Sequence, residues 1–308
     1  MTQQRDVWVR EVGTRDGLQS IQTIFDTATK LEWIRLEAAA GMPEIEVGSF
    51  VPPKLLPQMA DTVEVIAGAK KIPGLRVSAL IPNLRGAENG MAAGADQLNY
   101  VLSVSEAHSR ANVRRSVAEA IEDFGRIIEH RNAHAEYRHI RIAAGVATAF
   151  GCTISGPVAL KDVLAATEAL LARGADEIAV ADTVGYGNPA QCRTIFREVM
   201  ALAGSVPVAA HFHDTRGLGL ANVDAALEVG VRRFDASLGG LGGCPYAPGA
   251  AGNVATEDVV YLFDGMQVST GIDLGALISV NKWMSAAMGK GLPSKVGLAG
   301  LPKVLGKV

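Results

Sequence analysis

The sequence has few cysteines, little net charge and no long apolar run, and each of these shortages excludes a class of protein. Its three cysteines, Cys152, Cys192 and Cys244, have no CxxC spacing and cannot close a disulfide framework, which fits a reducing compartment. A formal net charge of −3 argues against nucleic acid or a membrane surface as the main partner. The start of the chain is polar, and no apolar run reaches the length needed to cross a bilayer. We therefore expect a soluble, cytoplasmic protein.

Short β-rich runs alternate with longer helical segments along the 308 residues. Glycine follows the end of several helical segments, as expected where a helix leads into a strand of a parallel sheet. Eight strand–helix units in this length predict an α/β fold, a (β/α)8 TIM barrel. A doubly wound sheet is the alternative, but no GxGxxG follows the first strand. The predicted strands are 7–12, 44–47, 76–80, 97–101, 140–147, 177–181, 206–212 and 233–237, and the helical segments include 27–40, 106–130, 158–172 and 221–229.

We predict a single catalytic domain over 1–308, with the barrel at about 5–265 and a helical extension at about 266–308. The conspicuous polar residues fall at the ends of the predicted strands or in the loops that follow them. In a barrel of parallel strands these positions meet at one face, where active sites lie. They are Arg15 and Asp16 after the first strand, Glu46 at the end of the second, Asn83 after the third, Asp182 after the sixth, His211 and His213 on the seventh, and Cys244 and Asn253 in the glycine-rich loop after the eighth.

The string HFHDT places two imidazoles, those of His211 and His213, two residues apart at the end of a strand. Side chains at i and i+2 of a strand point the same way, which suggests metal ligands, although either histidine alone fits a buried core position equally well. Asp16 and Asn253 would add a carboxylate and an amide oxygen. Alternatively, Asp16 caps a helix or pairs with Arg15, and Asn253 caps the following helix. The full donor set favours a catalytic Mg²⁺ or Mn²⁺, with Zn²⁺ as an alternative.

Several long motifs resemble those of the 3-hydroxy-3-methylglutaryl-CoA lyase family. They run in order from residue 9 to about residue 271. The wider superfamily includes isopropylmalate and homocitrate synthases, which share the Arg-Asp pair and the HxH. The Cys244 loop and a length that leaves no room for a regulatory domain favour the lyase branch. The motifs are EVGTRDGLQ, IEVGSFVPPKLLPQMAD, IPNLRG, ADTVGYGNP, HFHDTRGLGLAN and GGLGGCPYAPGAAGNVATEDVVYL.

The resemblance implies divalent-metal-dependent cleavage of a 3-hydroxyacyl-CoA to acetyl-CoA and a keto acid such as acetoacetate, a reaction of leucine catabolism. It assigns the role of proton donor to Cys244. From the chemistry, Arg15 would neutralise the developing enolate, and Asp182 and His211 are both candidates for the general base. We expect Glu46 to hold Arg15 or a metal-bound water. The residues expected to bind substrate are Arg15, Gln19 and Asn83, with loop-tying as the alternative for Asn83.

The sequence departs from the family pattern in loops that would shape the acyl and CoA pockets. Thr14 replaces the usual proline, and ATAFGCTISG at 147–156 replaces a form containing GCPYEG. The reaction type is therefore better defined than the acyl group, and a lyase for a related ester such as citramalyl-CoA is an alternative. An acetyl-CoA-condensing synthase and a barrel that only binds its ligand are further alternatives. We expect an acyl-CoA as the partner, no nucleic-acid or membrane partner, and a homo-oligomer, a dimer.

Overall fold

Eight parallel strands form a closed barrel in which each strand pairs with its neighbours in the chain and β8 pairs with β1. The computed structural model describes residues 5–243 and 252–302. It confirms the predicted TIM barrel, and every predicted strand lies within two residues of an observed one at each end. The strands are β1 Trp8–Glu11, β2 Glu44–Ser49, β3 Arg76–Ile81, β4 Gln97–Ser103, β5 Arg141–Ala147, β6 Glu177–Asp182, β7 Val208–Phe212 and β8 Arg233–Ala236.

Helices follow the strands and cover the outside of the barrel. Within the described ranges, no helix is both long and apolar enough to cross a membrane; the cytoplasmic location stays a prediction. After the eighth unit, α10 packs against α1 and α9, and α11 packs against α9. The helices are α1 Thr27–Ala39, α2 Thr62–Ala69, α3 Leu84–Ala92, α4 Glu106–Val113, α5 Val117–Ala133, α6 Leu160–Ala172, α7 Pro189–Ala203, α8 Gly219–Glu228, α9 Thr256–Gly265, α10 Leu274–Met288 and α11 Lys295–Ala299.

The segment predicted as one helix over 106–130 is two helices, so that prediction was wrong. α4 ends at Val113, because its C-cap Arg114 has a left-handed φ of 57° and cannot continue a right-handed helix. α5 then begins with a capping box in which Ser116 accepts from the Glu119 amide and the Glu119 carboxylate accepts from the Ser116 amide. The capping box thus starts a second helix at this point instead of extending the first.

The barrel interior carries a network of charged side chains below the strand ends. Side chains alternate between the two faces of a strand, so Arg10 points inward while its neighbours Val9 and Glu11 point outward. The Arg10 guanidinium lies 2.8 Å from Asp235, 3.1 Å from Glu177 and 3.4 Å from Glu44. A barrel of this type is usually filled by branched apolar residues. A buried ionic layer instead supports the polar residues at the carboxyl ends of the strands.

Candidate metal centre and active site

Asp16, His211 and His213 come together at the carboxyl ends of the strands. One ligand atom from each lies within 4.8 Å of the others, and this is the one group of three or more His, Cys, Asp or Glu side chains so arranged among residues 5–243 and 252–302. His213 Nε2 lies 4.0 Å from Asp16 Oδ2. The structure therefore brings together three of the four ligands predicted from sequence.

The local backbone explains how Asp16 reaches the two histidines. β1 ends in a π-helical turn, Gly13–Gly17, in which the amides of Arg15 and Asp16 both point back to the Val12 carbonyl, at 3.1 and 2.6 Å. This turn carries Asp16 over the mouth of the barrel. His211 projects inward from β7, which is separated from β1 only by β8. A π-helical turn is rare and is frequent at functional sites.

Asn253, the fourth predicted ligand, lies beside His213 in a short antiparallel bridge. Its Nδ2 donates to Asp16 Oδ2 at 2.7 Å and to the Leu241 carbonyl at 3.1 Å, which fixes the orientation of the amide. Its Oδ1 is buried and has no hydrogen-bond partner among the described residues. The alternative as a helix cap is wrong, because Ala255 occupies the N-cap of α9. A buried carbonyl oxygen beside a carboxylate and two imidazoles fits a divalent cation.

His211 is oriented by Asp235, a residue that the sequence analysis missed. His211 Nδ1 lies 3.1 Å from Asp235 Oδ2, so Nε2 is the ring nitrogen left for the cluster. Burial would lower the pKa of His211, but the Asp235 carboxylate outweighs it and raises that pKa. Burial would raise the pKa of Asp235, but Arg10 and His211 lower it strongly. Carboxylate–histidine pairs of this kind orient the ligands of metal sites.

Arg15 is held in place from two sides. Its Nε donates to Glu46 and its NH1 to Asp16 Oδ1 at 2.6 Å. Burial would lower the pKa of Arg15, but Glu46 and Asp16 raise it, so the group is a fixed cation. Both earlier expectations, an Arg15–Asp16 ion pair and a Glu46 that holds Arg15, are confirmed as contacts. The Asn99 amide donates to Glu46 at 2.7 Å and links this carboxylate to the barrel interior.

Gln19 and Asn83, the other residues predicted to bind substrate, differ in position. Gln19 Nε2 donates to Asp16 Oδ1 at 2.6 Å and therefore borders the cluster. Asn83 is the N-cap of α3, where its Oδ1 accepts from the Gly86 amide at 2.9 Å. This is the loop-tying alternative for Asn83. Substrate contact by either residue stays a prediction.

The Asp182 side chain is not part of the metal cluster, although its backbone carbonyl accepts from the His213 amide at 3.4 Å. Ala181 is the residue of β6 that pairs with His211, so alternation places Asp182 on the outer face of the strand. Its two oxygens accept from the Tyr186 and Gly187 amides of its own loop, at 2.9 and 2.8 Å. Burial raises the pKa of Asp182 in spite of these bonds. Of the two candidates for the general base, only His211 belongs to the cluster. Cys244 falls outside the described residues.

The sequence and structure comparisons agree with this geometry. The model of the HMGL-like family matches residues 7–284, which include every ligand of the cluster. The chain belongs to the HMGL-like family. It is 40% identical over 291 residues to hydroxymethylglutaryl-CoA lyase YngG of Bacillus subtilis, covering 94% of this chain and 96% of that one. It is 42% identical over 304 residues to (R)-citramalyl-CoA lyase of Chloroflexus aurantiacus, covering 96% and 95%.

A solved structure resembles this member of the HMGL-like family over the whole chain. It is an HMG-CoA lyase from Acinetobacter baumannii in complex with coenzyme A and 3-methylmalate. The two chains share 41% sequence identity with a TM-score of 0.92, and the match covers 100% of each. The relatives named here are lyases that act on CoA esters, so the comparison supports an enzyme of that class.

Proposed function

We propose that the protein is a divalent-metal-dependent carbon–carbon lyase that cleaves 3-hydroxy-3-methylglutaryl-CoA, or a closely related 3-hydroxyacyl-CoA, to acetyl-CoA and a keto acid. With 3-hydroxy-3-methylglutaryl-CoA the keto acid is acetoacetate. The observation that carries the proposal is the convergence of Asp16, His211 and His213 beside the anchored cation of Arg15. The near-full-length identity to lyases of this type supports it.

The reaction breaks the bond between C2 and C3 of the acyl group. The 3-hydroxyl loses its proton, its oxygen forms the new carbonyl of the keto acid, and the electron pair of the broken bond passes to C2 and the thioester as an enolate. A proton added to C2 then gives acetyl-CoA. The site must therefore accept one proton, stabilise one developing negative charge and return one proton.

The donor set fits a resident cation, Mg²⁺ or Mn²⁺. One carboxylate, two imidazoles and the unpartnered Asn253 oxygen are ligands that these ions accept, and the set contains no thiolate that would favour a closed zinc site. Asp16, His211, His213 and Asn253 would hold the ion, with Zn²⁺ as the alternative. When bound, such a cation supplies a Lewis acid that makes the substrate hydroxyl more acidic.

Arg15 is the residue best placed to stabilise the enolate. Contacts to Glu46 and Asp16 account for two of its five N–H groups. The side chain is fixed and 8% exposed, so its charge acts in a site from which water is largely excluded. A cation held in this way needs no reorganisation as the negative charge develops.

The proton transfers involve His211, Asp182 and Cys244 in our proposal. His211 lies in the cluster, but its Nδ1 is paired with Asp235 and its Nε2 would bind the cation, so His211 could receive the hydroxyl proton only while its Nε2 is not bound to the metal. Asp182, with both oxygens engaged by backbone amides, would act through a rearranged loop. Cys244 would return the proton to C2, as the family resemblance implies.

Citramalyl-CoA is a specific alternative substrate, and its cleavage would give pyruvate and acetyl-CoA. The chain is as similar to a citramalyl-CoA lyase as to a hydroxymethylglutaryl-CoA lyase, at 42% and 40% identity. Both esters carry a hydroxyl and a methyl group on C3, one of the two carbons of the broken bond. Both therefore need the same proton transfers. A condensing synthase of the same superfamily is the less favoured alternative. The homodimer and the cytoplasmic location also remain proposals.

The experiment that tests the function uses metal-stripped protein and a panel of 3-hydroxyacyl-CoA esters, with and without Mg²⁺ or Mn²⁺. We expect release of acetyl-CoA that depends on the metal, and the accompanying keto acid, acetoacetate or pyruvate, identifies the preferred substrate. Formation of a carbon–carbon bond between acetyl-CoA and a keto acid, with thioester hydrolysis that releases a hydroxy acid and free CoA, would favour the synthase instead. If no ester is cleaved with any metal, the lyase proposal is wrong.

A further inference from the structure

Three buried glutamates lie behind the active-site loops, between the barrel and its helices. Glu11 points outward from β1, Glu37 lies on the buried face of α1, and Glu257 lies in the first turn of α9. All three are 0% exposed. Ionised carboxylates are costly to bury without compensating partners, and the proposed reaction makes no use of any of them.

Glu11 and Glu257 hold the backbone of both loops that carry the site. Glu11 Oε1 accepts from the Gly13 amide at 2.6 Å and from the Leu238 amide at 2.8 Å. Glu257 accepts from the Gly239 amide with both oxygens, at 3.1 and 2.9 Å. Gly13 opens the turn that carries Arg15 and Asp16, whereas 238 and 239 open the loop that leads to Asn253. One carboxylate, that of Glu11, thus joins the two loops.

Glu37 differs from the other two because neither of its oxygens accepts a hydrogen bond from any donor of the described structure. The Trp33 ring packs against Gly13 next to the Glu11 carboxylate, and Glu37 lies one turn further along the buried face of α1, where it interacts with Glu11. Glu11 accepts a third bond, from the Thr256 hydroxyl at 2.6 Å, so it acts wholly as an acceptor, as an ionised carboxylate does. An ionised Glu37 at its side would repel it.

A cation is a poor alternative for this cluster. Within the described ranges, Asp16, His211 and His213 form the one group of three such side chains whose ligand atoms lie within 4.8 Å of one another. The three glutamates therefore do not bring their oxygens close enough to surround a cation in the same way. A proton, which needs only two oxygens, is the charge that fits. Glu37 is the residue without other bonds and is therefore the one that carries the proton.

We propose that Glu37 is a positioning residue that holds a proton at neutral pH and donates it to Glu11, so that the Glu11 carboxylate keeps both active-site loops in register. Without this donor, Glu11 itself takes up a proton, and the oxygen of a neutral carboxyl group holds the Gly13 and Leu238 amides less strongly than a carboxylate oxygen does. The inference rests on the proposed function only because it names these loops as the active site. The hydrogen bonding of Glu37 and Glu11 does not depend on a bound substrate.

The electrostatics of the cluster agree with this assignment. Burial and the charge of Glu11 raise the pKa of Glu37 well above its ordinary value, whereas burial raises the pKa of Glu11 and of Glu257 to about 7 each. The titratable groups that face Glu37 are Glu11 from β1 and Glu257 from α9; Asp258 adds its charge to that acting on Glu257, and α10 contributes the neutral amide of Asn281. Glu37 is thus the last of the three to ionise as the pH rises.

The test compares two substitutions at Glu37 with a control on the same helix, using hydrogen exchange of the segments around Gly13 and Leu238. Glu37→Gln keeps a neutral donor, and we expect exchange within twofold of the native protein at pH 7. Glu37→Leu removes the donor, and we expect exchange at least tenfold faster in both segments. Glu32→Gln, at a partly exposed position of α1, is the control and leaves both segments unchanged.

The pH profile of unfolding provides the second measurement. The native protein should lose urea resistance as the pH rises from 6 to 9, and Glu37→Gln, which cannot ionise, should lose less. Equal hydrogen-exchange rates in Glu37→Gln and Glu37→Leu would overturn the proposal. So would a loss of urea resistance between pH 6 and 9 that is as large in Glu37→Gln as in the native protein. Neither measurement uses an acyl-CoA, so its outcome is independent of whether the lyase assay succeeds.

Discussion

Replacing Asp235 by asparagine separates the orientation of a metal ligand from the stability of the barrel interior. Asp235 is the only described partner of His211 Nδ1 and also lies 2.8 Å from Arg10. An asparagine keeps the shape but removes the charge that favours the proposed ring orientation. Loss of such a partner typically weakens metal binding 10- to 100-fold, which corresponds to about 1.4–2.7 kcal/mol.

The matched control is Glu177→Gln. Glu177 also contacts Arg10, at 3.1 Å, but has no contact with either histidine among the bonds described. Both variants remove one acidic partner of Arg10, so both should lower the melting temperature, and only Asp235→Asn should lower metal affinity. Calorimetric titration of metal-free protein with Mn²⁺ measures this difference. An Asp235→Asn protein that binds Mn²⁺ within twofold of native, or a Glu177→Gln protein that is weakened equally, would refute the reasoning.

Three further predictions follow from the site and its surroundings. Glu46→Gln should lower kcat at least tenfold with a smaller change in Mn²⁺ affinity, because Glu46 holds Arg15 but contacts no proposed metal ligand. Steady-state kinetics measures kcat and calorimetry measures the affinity, and an unchanged kcat would contradict the prediction. Cys244→Ser should impair turnover more than metal binding, and equal loss of both would contradict the proton-donor role. The pKa of Glu257 is raised from 4.5 to about 7, so the folded state should lose on the order of 3 kcal/mol as the pH rises through this interval. Glu257→Gln should therefore make the urea-denaturation midpoint less dependent on pH between pH 5 and 8, and an unchanged dependence would count against a raised pKa of Glu257.

Much of the site was predictable because strand ends converge in a barrel. His211 and His213 are two residues apart on one strand, and the Arg15-Asp16 pair follows the first strand. These positions were enough to predict that all four side chains lie at the same end of the barrel. The break between α4 and α5 also had a sequence signal, since Ser116 and Glu119 have the spacing of a capping box. That signal lies inside a long segment with helical periodicity, which outweighed it.

The residues that the sequence analysis missed depend on register between strands. Asp235 meets His211 because β7 and β8 pair at those positions, and no periodicity within one strand fixes that register. The Asp182 side chain was predicted to take part in the site because this residue ends a strand. The register of β6 with β7 places Ala181, not Asp182, on the inner face. Glu11, Glu37 and Glu257 come from three distant parts of the chain and meet only in the packed structure.

The central claim is that one divalent cation, held by Asp16, His211, His213 and Asn253, is required for carbon–carbon cleavage. The most direct measurement titrates Mn²⁺ into metal-free native protein and into His213→Ala while acetyl-CoA release from 3-hydroxy-3-methylglutaryl-CoA and citramalyl-CoA is followed. The account predicts one Mn²⁺ per native chain, activity that rises in proportion to occupancy, and at least 100-fold weaker binding without turnover in His213→Ala. Full activity of the native protein in excess chelator, or Mn²⁺ binding unchanged in His213→Ala, would contradict it.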